Sequence, residues 1–112
     1  MTQQQALDEC YALWTALAKS GDSDKLNAIY RNTNLEHLST YIYHCPCCEY
    51  SHKLARKEGM ENLCTYCPIW NTEYGCEKGK SPYYDWSNAT IENRRFYAQQ
   101  IADLALEKGA RP

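Results

Sequence analysis

The stretch Thr2-Gln3-Gln4-Gln5-Ala6-Leu7-Asp8-Glu9-Cys10-Tyr11-Ala12-Leu13-Trp14-Thr15-Ala16-Leu17-Ala18-Lys19 decides the architecture of this chain. Ala6, Leu7, Cys10, Leu13, Trp14, Leu17 and Ala18 recur at three- and four-residue steps, the spacing that gathers side chains on one face of an α-helix. Gly21 follows as a left-handed terminator. An apolar stripe of this kind needs cover, and the matching element lies at the far end of the chain, roughly Ala89 to Lys108. There Ile91, Ala98, Ile101, Ala102 and Ala105 are expected to face inward, with Tyr97, Leu104 and Leu106 shared between that face and its edges. Ser87 or Asn88 is its expected cap and Gly109 its end. The predicted fold is mainly α: a small helical domain framed by long N- and C-terminal helices, with an irregular zinc-knuckle insertion between them.

Working inward, Asp22 or Ser23 caps a shorter helix through Leu26, Ile29 and Tyr30, stopping at Asn32-Thr33-Asn34. Residues 35–44 read two ways. Their first part continues as a helical turn, whereas Tyr41-Ile42-Tyr43 has strand propensity and leaves a short β-hairpin open. Ser51 to Lys57 suits a brief helix ended by Gly59, and Pro82-Tyr83-Tyr84-Asp85-Trp86 a compact aromatic turn. At 112 residues the chain reads as one domain, 1–112, with an N-terminal helical part at 1–34, a cysteine-rich zinc module at 41–80 and the C-terminal helix at 88–108.

Seven cysteines dominate the middle. Cys45-Pro46-Cys47-Cys48 and Cys64-Thr65-Tyr66-Cys67 are two Cys-x-x-Cys pairs with fifteen residues between Cys48 and Cys64. A two-residue gap lets one tight turn aim two sulfurs at one ion, so the pattern predicts a closed, structural Zn2+ site on Cys45, Cys48, Cys64 and Cys67. Cys76, Cys47, His44 and His52 are the alternative ligands, and an iron–sulfur cluster is the alternative group, since spacing alone does not choose the metal. Cys10 lies on the apolar stripe of the first helix and reads as a core cysteine, with a ligand or reactive thiol as the other reading.

Twelve Lys and Arg stand against fourteen Asp and Glu, which disfavours a nucleic-acid partner held by phosphate neutralisation. Lys53, Arg56 and Lys57 form one small basic cluster and Arg94-Arg95 another. No apolar run approaches the roughly 18 residues needed to cross a bilayer, and no export signal is visible, so the expected location is the cytoplasm and no membrane is involved. That compartment favours thiols over disulfides. No Gly-rich phosphate loop, Gly-x-Ser-x-Gly elbow or His-Glu-x-x-His helix is present, and the spacing of His37, His44 and His52 specifies no catalytic set.

Ten tyrosines and three tryptophans accompany one phenylalanine. Trp14, Trp86 and Tyr97 are expected in the core. Tyr50, Arg56, Tyr66, Trp70, Tyr74, Tyr83 and Tyr84 crowd the cysteine-rich part, and an exposed subset would anchor a protein partner.

Cys45-Pro46-Cys47-Cys48-Glu49-Tyr50, Cys64-Thr65-Tyr66-Cys67-Pro68-Ile69-Trp70 with Cys76, Ser81-Pro82-Tyr83-Tyr84-Asp85-Trp86 and Arg95-Phe96-Tyr97-Ala98 together resemble small cysteine-rich proteins of tailed phages, mainly over residues 41–105. The resemblance implies a phage-encoded modulator or inhibitor of a host defence protein, acting in the host cytoplasm. Composition and motifs together predict a zinc-stabilised, non-enzymatic protein-binding module with no catalytic residue. The alternatives are a nucleic-acid-associated zinc-binding regulator and a thiol–disulfide or metal-dependent enzyme.

Overall fold

Thr2 opens the first helix, α1 (Gln3–Ser20), through a reciprocal cap. Its hydroxyl accepts from the Gln5 N–H at 3.1 Å while its own N–H donates to Gln5 Oε1 at 2.8 Å, which satisfies two of the donors a helix start leaves over. Gly21 closes α1 at φ 73°, its N–H donating to the Leu17 carbonyl at 2.8 Å. The computed structural model describes residues 1–42, 45–70 and 81–112.

Asp24, and not Asp22 or Ser23, caps α2 (Lys25–Arg31) by accepting from the Leu26 N–H at 2.9 Å. A 3-10 helix over Thr33–Thr40 follows, burying Leu35 and Leu38. It takes up most of the stretch that was ambiguous in sequence, and no β-strand occurs among the described residues, so the hairpin is not formed there. The physical reason is register: Leu35 and Leu38, three apart, share a face in a helix with three residues per turn and fall on opposite faces of a strand. Tyr43 of the expected strand lies outside the described residues.

The third helix, α3 (Pro46–Lys57), starts five residues earlier than expected. Cys45 is its N-cap residue and Pro46 its first helical position, where the missing N–H of proline costs nothing. Gly59 at φ 72° ends it, with the Met60 N–H donating to the Ala55 carbonyl at 2.8 Å. The short α4 (Pro82–Ser87) has the same proline start, with Ser81 Oγ accepting from the Tyr84 N–H at 3.1 Å. The last helix, α5 (Ile91–Glu107), is capped by position at Thr90, and Ala110 beyond it donates to the Ala105 carbonyl at 2.9 Å.

The frame is α1 against α5, running antiparallel. Gln4 at the start of α1 donates to the Gly109 carbonyl past the end of α5 at 2.8 Å, and Arg94 near the start of α5 donates to the Gly21 carbonyl at 3.0 Å. Ala6, Leu7, Cys10, Leu13, Trp14 and Leu17 meet Ala98, Ile101, Ala102 and Ala105 in one continuous core. Small alanines on α5 admit the large rings and leucines of α1, and each fully buried Leu13, Leu17 or Ile29 contributes about 1.5–3 kcal/mol by area. Ile91 does not join them: it is 66% exposed, because the helix begins only at that residue and its first turn overhangs the core. Against this pair α3 packs on α1, α2 on α1 and α4 on α5.

Candidate functional site

The N-terminal turn of α3 points at α1, and five cysteines meet there. Cys45, Cys47 and Cys48 occupy the N-cap and first turn of α3, Cys10 lies on the facing stripe of α1, and Cys67 comes from the turn after α3. Cys47 donates from Sγ to the Ala6 carbonyl at 3.7 Å, which fixes the turn against α1. Ser51, fully buried, holds the other side by donating to the Leu63 carbonyl at 2.7 Å and accepting from the Tyr66 N–H at 3.1 Å. Within that turn the Cys67 N–H donates to the Cys64 carbonyl at 3.1 Å, and Cys67 Sγ accepts from the Trp70 N–H at 3.4 Å.

The thiols gather at this junction: Cys10, Cys45 and Cys47 belong to one continuous core, and Cys45, Cys47, Cys48 and Cys67 border one cavity. Cys10, Cys45 and Cys47 are buried, whereas Cys48 and Cys67 are partly exposed. Among the described residues no disulfide joins any of these sulfurs.

The environments divide the sulfurs into two kinds. The Cys45 thiol is held well below the ordinary thiol range, first by the hydrogen bond donated from Cys10 and next by that from Cys48, with the Lys25 ammonium and the Cys48 backbone N–H adding to it against the cost of burial. Burial pushes Cys10 far up, and its bonds to Cys45 and Cys47 push the same way. Cys47 is also raised: the bond from Cys10 favours its thiolate, but its own bond to Cys67, together with burial, outweighs that. Lys25, half-buried at the start of α2, keeps its charge more firmly than usual because burial is outweighed by the neighbouring Cys45, Tyr83 and Cys48. Its Nζ stands 5.1 Å from the centre of the Tyr83 ring, a cation–π contact.

Beside the sulfurs is a cavity of about 40 Å³ bordered by Cys45, Cys48, Cys67, Trp14, Trp70 and Tyr83. It accepts a methyl-sized group and falls far short of the roughly 300 Å³ needed by a drug-sized ligand. Trp14 forms its floor, braced edge-on by Trp86 and Tyr83.

This arrangement overturns the zinc reading. Among the described residues no group of three or more His, Cys, Asp or Glu side chains is placed to hold a metal ion. Cys45, Cys48, Cys64 and Cys67 therefore do not form the expected tetrahedral site, and neither Cys47 nor His52 completes one. The reason is local: Cys45-Pro46-Cys47-Cys48 is the start of a helix, not a knuckle, whereas zinc would need its ligands all about 2.3 Å from one point. The iron–sulfur alternative needs the same convergence and falls with it, as do a zinc-stabilised module, a zinc-binding regulator and a metal-dependent enzyme built on these residues. His44, Tyr74 and Cys76 lie outside the described residues.

The aromatic expectations divide. Trp14 and Trp86 are core residues and Tyr97 packs against the core. Of the suggested partner surface, Arg56 and Tyr84 are exposed, while Tyr50, Tyr66, Trp70 and Tyr83 are half-buried, Trp70 and Tyr83 beside the thiols. The basic clusters do not make a stripe: Lys53 pairs with the buried Glu49 at 3.0 Å, and Arg94 is committed to Gly21.

Sequence reading missed one member of the site. Cys10 reads as a core cysteine, with a ligand or reactive thiol as the alternative, and it is fully buried. Lys25 gave no signal beyond a charged first turn of α2. No helix among the described residues is long and apolar enough to cross a membrane. Comparison with protein-family models, with curated proteins and with solved structures finds no match.

Proposed function

We propose that the protein is a thiol–disulfide exchange protein of the cytoplasm, with Cys48 and Cys45 as its working pair and a disulfide in a protein or peptide as its substrate. The observation that carries this reading is the placement of Cys45-x-x-Cys48 on the first turn of a twelve-residue helix, with Lys25 facing the pair. Unsatisfied N–H groups and the positive end of the helix dipole favour a thiolate there.

The roles follow from exposure. Cys48 is the partly exposed sulfur and meets the substrate; Cys45 is buried behind it. The pair shares one negative charge along its hydrogen bond. When the proton moves from Cys48 to Cys45, the Cys48 thiolate attacks the substrate disulfide, one substrate sulfur leaves as a thiolate, and a mixed disulfide forms. Cys45, losing its proton to solvent or to the leaving thiolate, then attacks Cys48. The second substrate sulfur is released, and the substrate is reduced by two electrons as the Cys45–Cys48 disulfide forms. The small apolar cavity admits only a side-chain fragment, so the partner docks from outside and presents its disulfide to Cys48.

The test is incubation of the reduced protein with a disulfide-bonded peptide, followed by acid quench and mass spectrometry. Cys45→Ser is expected to trap the peptide on Cys48, and Cys48→Ser to react at least tenfold more slowly than the unsubstituted chain. Equal rates in the unsubstituted chain and Cys48→Ser would overturn the assignment, as would stoichiometric metal in the freshly purified reduced protein.

A further inference from the structure

Trp70, Pro82 and Leu104 border the thiol cavity and also a second, larger hollow. This is an open groove of about 430 Å³, and Asp85, Gln100, Asp103 and Glu107 complete its lining. It exceeds the roughly 300 Å³ at which ligand pockets begin, whereas the thiol cavity holds only a side-chain fragment. The two adjoin, sharing a ring, a proline and a leucine.

The lining of the groove follows from spacing. Gln100, Asp103, Leu104 and Glu107 stand three and four apart on α5, so one face of that helix places an apolar side chain between two carboxylates. Asp85 adds a third carboxylate from α4. Asp103 is oriented within its own helix, where Gln99 donates to its Oδ1 at 2.9 Å.

Charge is what the groove leaves unmatched. Among the described residues Asp8, Glu9, Asp22 and Glu49 each pair with a basic side chain, whereas Asp85, Asp103 and Glu107 pair with none. No lysine, arginine or histidine borders the groove either. A lysine or arginine side chain is the complement of this lining: its aliphatic stem suits Pro82 and Leu104, its charged head the carboxylates, and the half-buried Trp70 ring attracts a cation.

We propose that this groove docks a lysine or arginine side chain of the substrate, carried within a few residues of the half-cystine that meets Cys48. The assignment rests on the exchange function proposed for Cys45 and Cys48 and names the class of disulfide it serves, one set in a basic segment. Because the groove adjoins the thiol cavity, a single peptide places its sulfur at one and its cation in the other. An acidic segment at the same place meets three like charges, so the groove selects by repulsion as well as attraction.

The experiment has two arms, both on the full-length reduced protein. In the first, anisotropy titration compares a fluorescein-labelled, cysteine-free peptide of alternating glycine and lysine with its glutamate counterpart. The lysine peptide is expected to bind at least fivefold more tightly, with the difference shrinking at about 1 M salt, where the Debye length is about 3 Å. The double variant Asp103→Asn/Glu107→Gln keeps the shape of both exposed side chains without their charge, and is expected to bind the lysine peptide at least threefold more weakly. Trp70→Leu keeps an apolar wall without the ring and is expected to weaken binding as well. Equal binding of the two peptides, or unchanged affinity in both variants, would overturn the groove whatever the thiols do.

In the second arm, two disulfide-bonded peptides differing only in a lysine or a glutamate near one half-cystine are followed by acid quench and mass spectrometry. The lysine peptide is expected to be reduced at least fivefold faster, and the ratio of the two rates to fall toward one in the double variant. Equal rates in the unsubstituted chain would overturn the groove as a substrate dock while leaving the working pair standing. Absence of reduction with either peptide would overturn the exchange function and the groove's part in it, and the first arm still decides whether the groove takes a basic peptide.

Discussion

Trp14 of α1 and Trp86 of α4 meet edge to face, their ring centres 4.9 Å apart and their planes at 87°. The contact joins the frame of the fold to the short helix that walls the thiol site. Neither indole N–H has a hydrogen-bond partner among the described residues, so both rings hold their places by area and ring electrostatics. Trp14→Phe keeps most of that area and removes a buried donor, and is expected to cost less than about 1.5 kcal/mol. Trp14→Ala empties the floor of the site and is expected to cost about 3–5 kcal/mol. Urea unfolding of the two variants checks both values, and equal losses would show that the indole N–H matters more than the ring.

Gly21 is where α1 ends against α5. Its φ of 73° is a conformation side chains resist, and a Cβ added there would lie 2.9 Å from Arg95 Nε. Gly59 has nearly the same φ, 72°, and nothing within 4 Å of an added Cβ. Gly59→Ala is expected to lose about 1–2 kcal/mol from backbone strain alone. Gly21→Ala is expected to lose at least as much, with the excess recovered when Arg95→Ala is combined with it. A double-mutant cycle read by thermal unfolding separates the two contributions.

The frame could be read from the chain because both of its helices advertise themselves. Alternation at three and four residues in Ala6 to Leu17 and in Ala98 to Ala105 is a local property, and glycine at 21, 59 and 109 marks three helix ends. The site could not be read in the same way. Cys-x-x-Cys is the spacing of a metal knuckle and equally of a helix N-terminus, and Pro46 at the first helical position decides for the helix here. What Cys45 touches depends on Cys10, thirty-five positions earlier, and on Lys25 in a different helix. Contacts at that separation leave no periodic trace in sequence. The same limit applies to Ile91, whose spacing matches the buried face although it lies at the overhanging end of α5.

Asp8 and Arg111 close the two ends of the chain on each other, with Arg111 Nη2 donating to Asp8 Oδ2 at 2.8 Å and the Arg111 N–H to Oδ1 at 2.7 Å. The Arg111 side chain, followed by its backbone N–H, holds the Asp8 carboxyl down to about 2 from an ordinary 3.8. A carboxyl lowered in the folded state stabilises it above the unfolded value and ceases to do so as the pH falls through the folded one. The contribution of this contact is thus whole above about pH 4 and disappears toward pH 2. The pair is exposed, so the effect belongs to the joined termini and is weakened by salt. Carbon-detected NMR titration is expected to give an Asp8 midpoint near 2, moving up toward 3.8 in Arg111→Ala.

Lys25 offers the sharpest control over the sulfur chemistry, because its charge faces the working pair from a helix that carries none of the thiols. Lys25→Met keeps an unbranched apolar stem against Tyr83 while removing the ammonium, so packing is largely preserved. Without that charge the Cys45 thiolate retains the hydrogen bonds from Cys10 and Cys48 and the first-turn N–H of α3, and loses the attraction of the nearby cation. Its protonation therefore moves to higher pH, and the fraction of the pair that is ionised at pH 7 falls. Exchange with a disulfide-bonded peptide, followed from pH 5 to 9, is expected to keep its limiting rate at the alkaline end while its midpoint moves upward. On the acidic side of the profile the rate should fall about tenfold for every pH unit by which the midpoint rises. Lys25→Arg keeps a cation on a longer side chain and is expected to restore most of the acidic-side rate. A midpoint identical in Lys25→Met and the unsubstituted chain would mean that the thiolate is held by hydrogen bonds and the helix alone, and that Lys25 serves Tyr83 instead of the sulfurs.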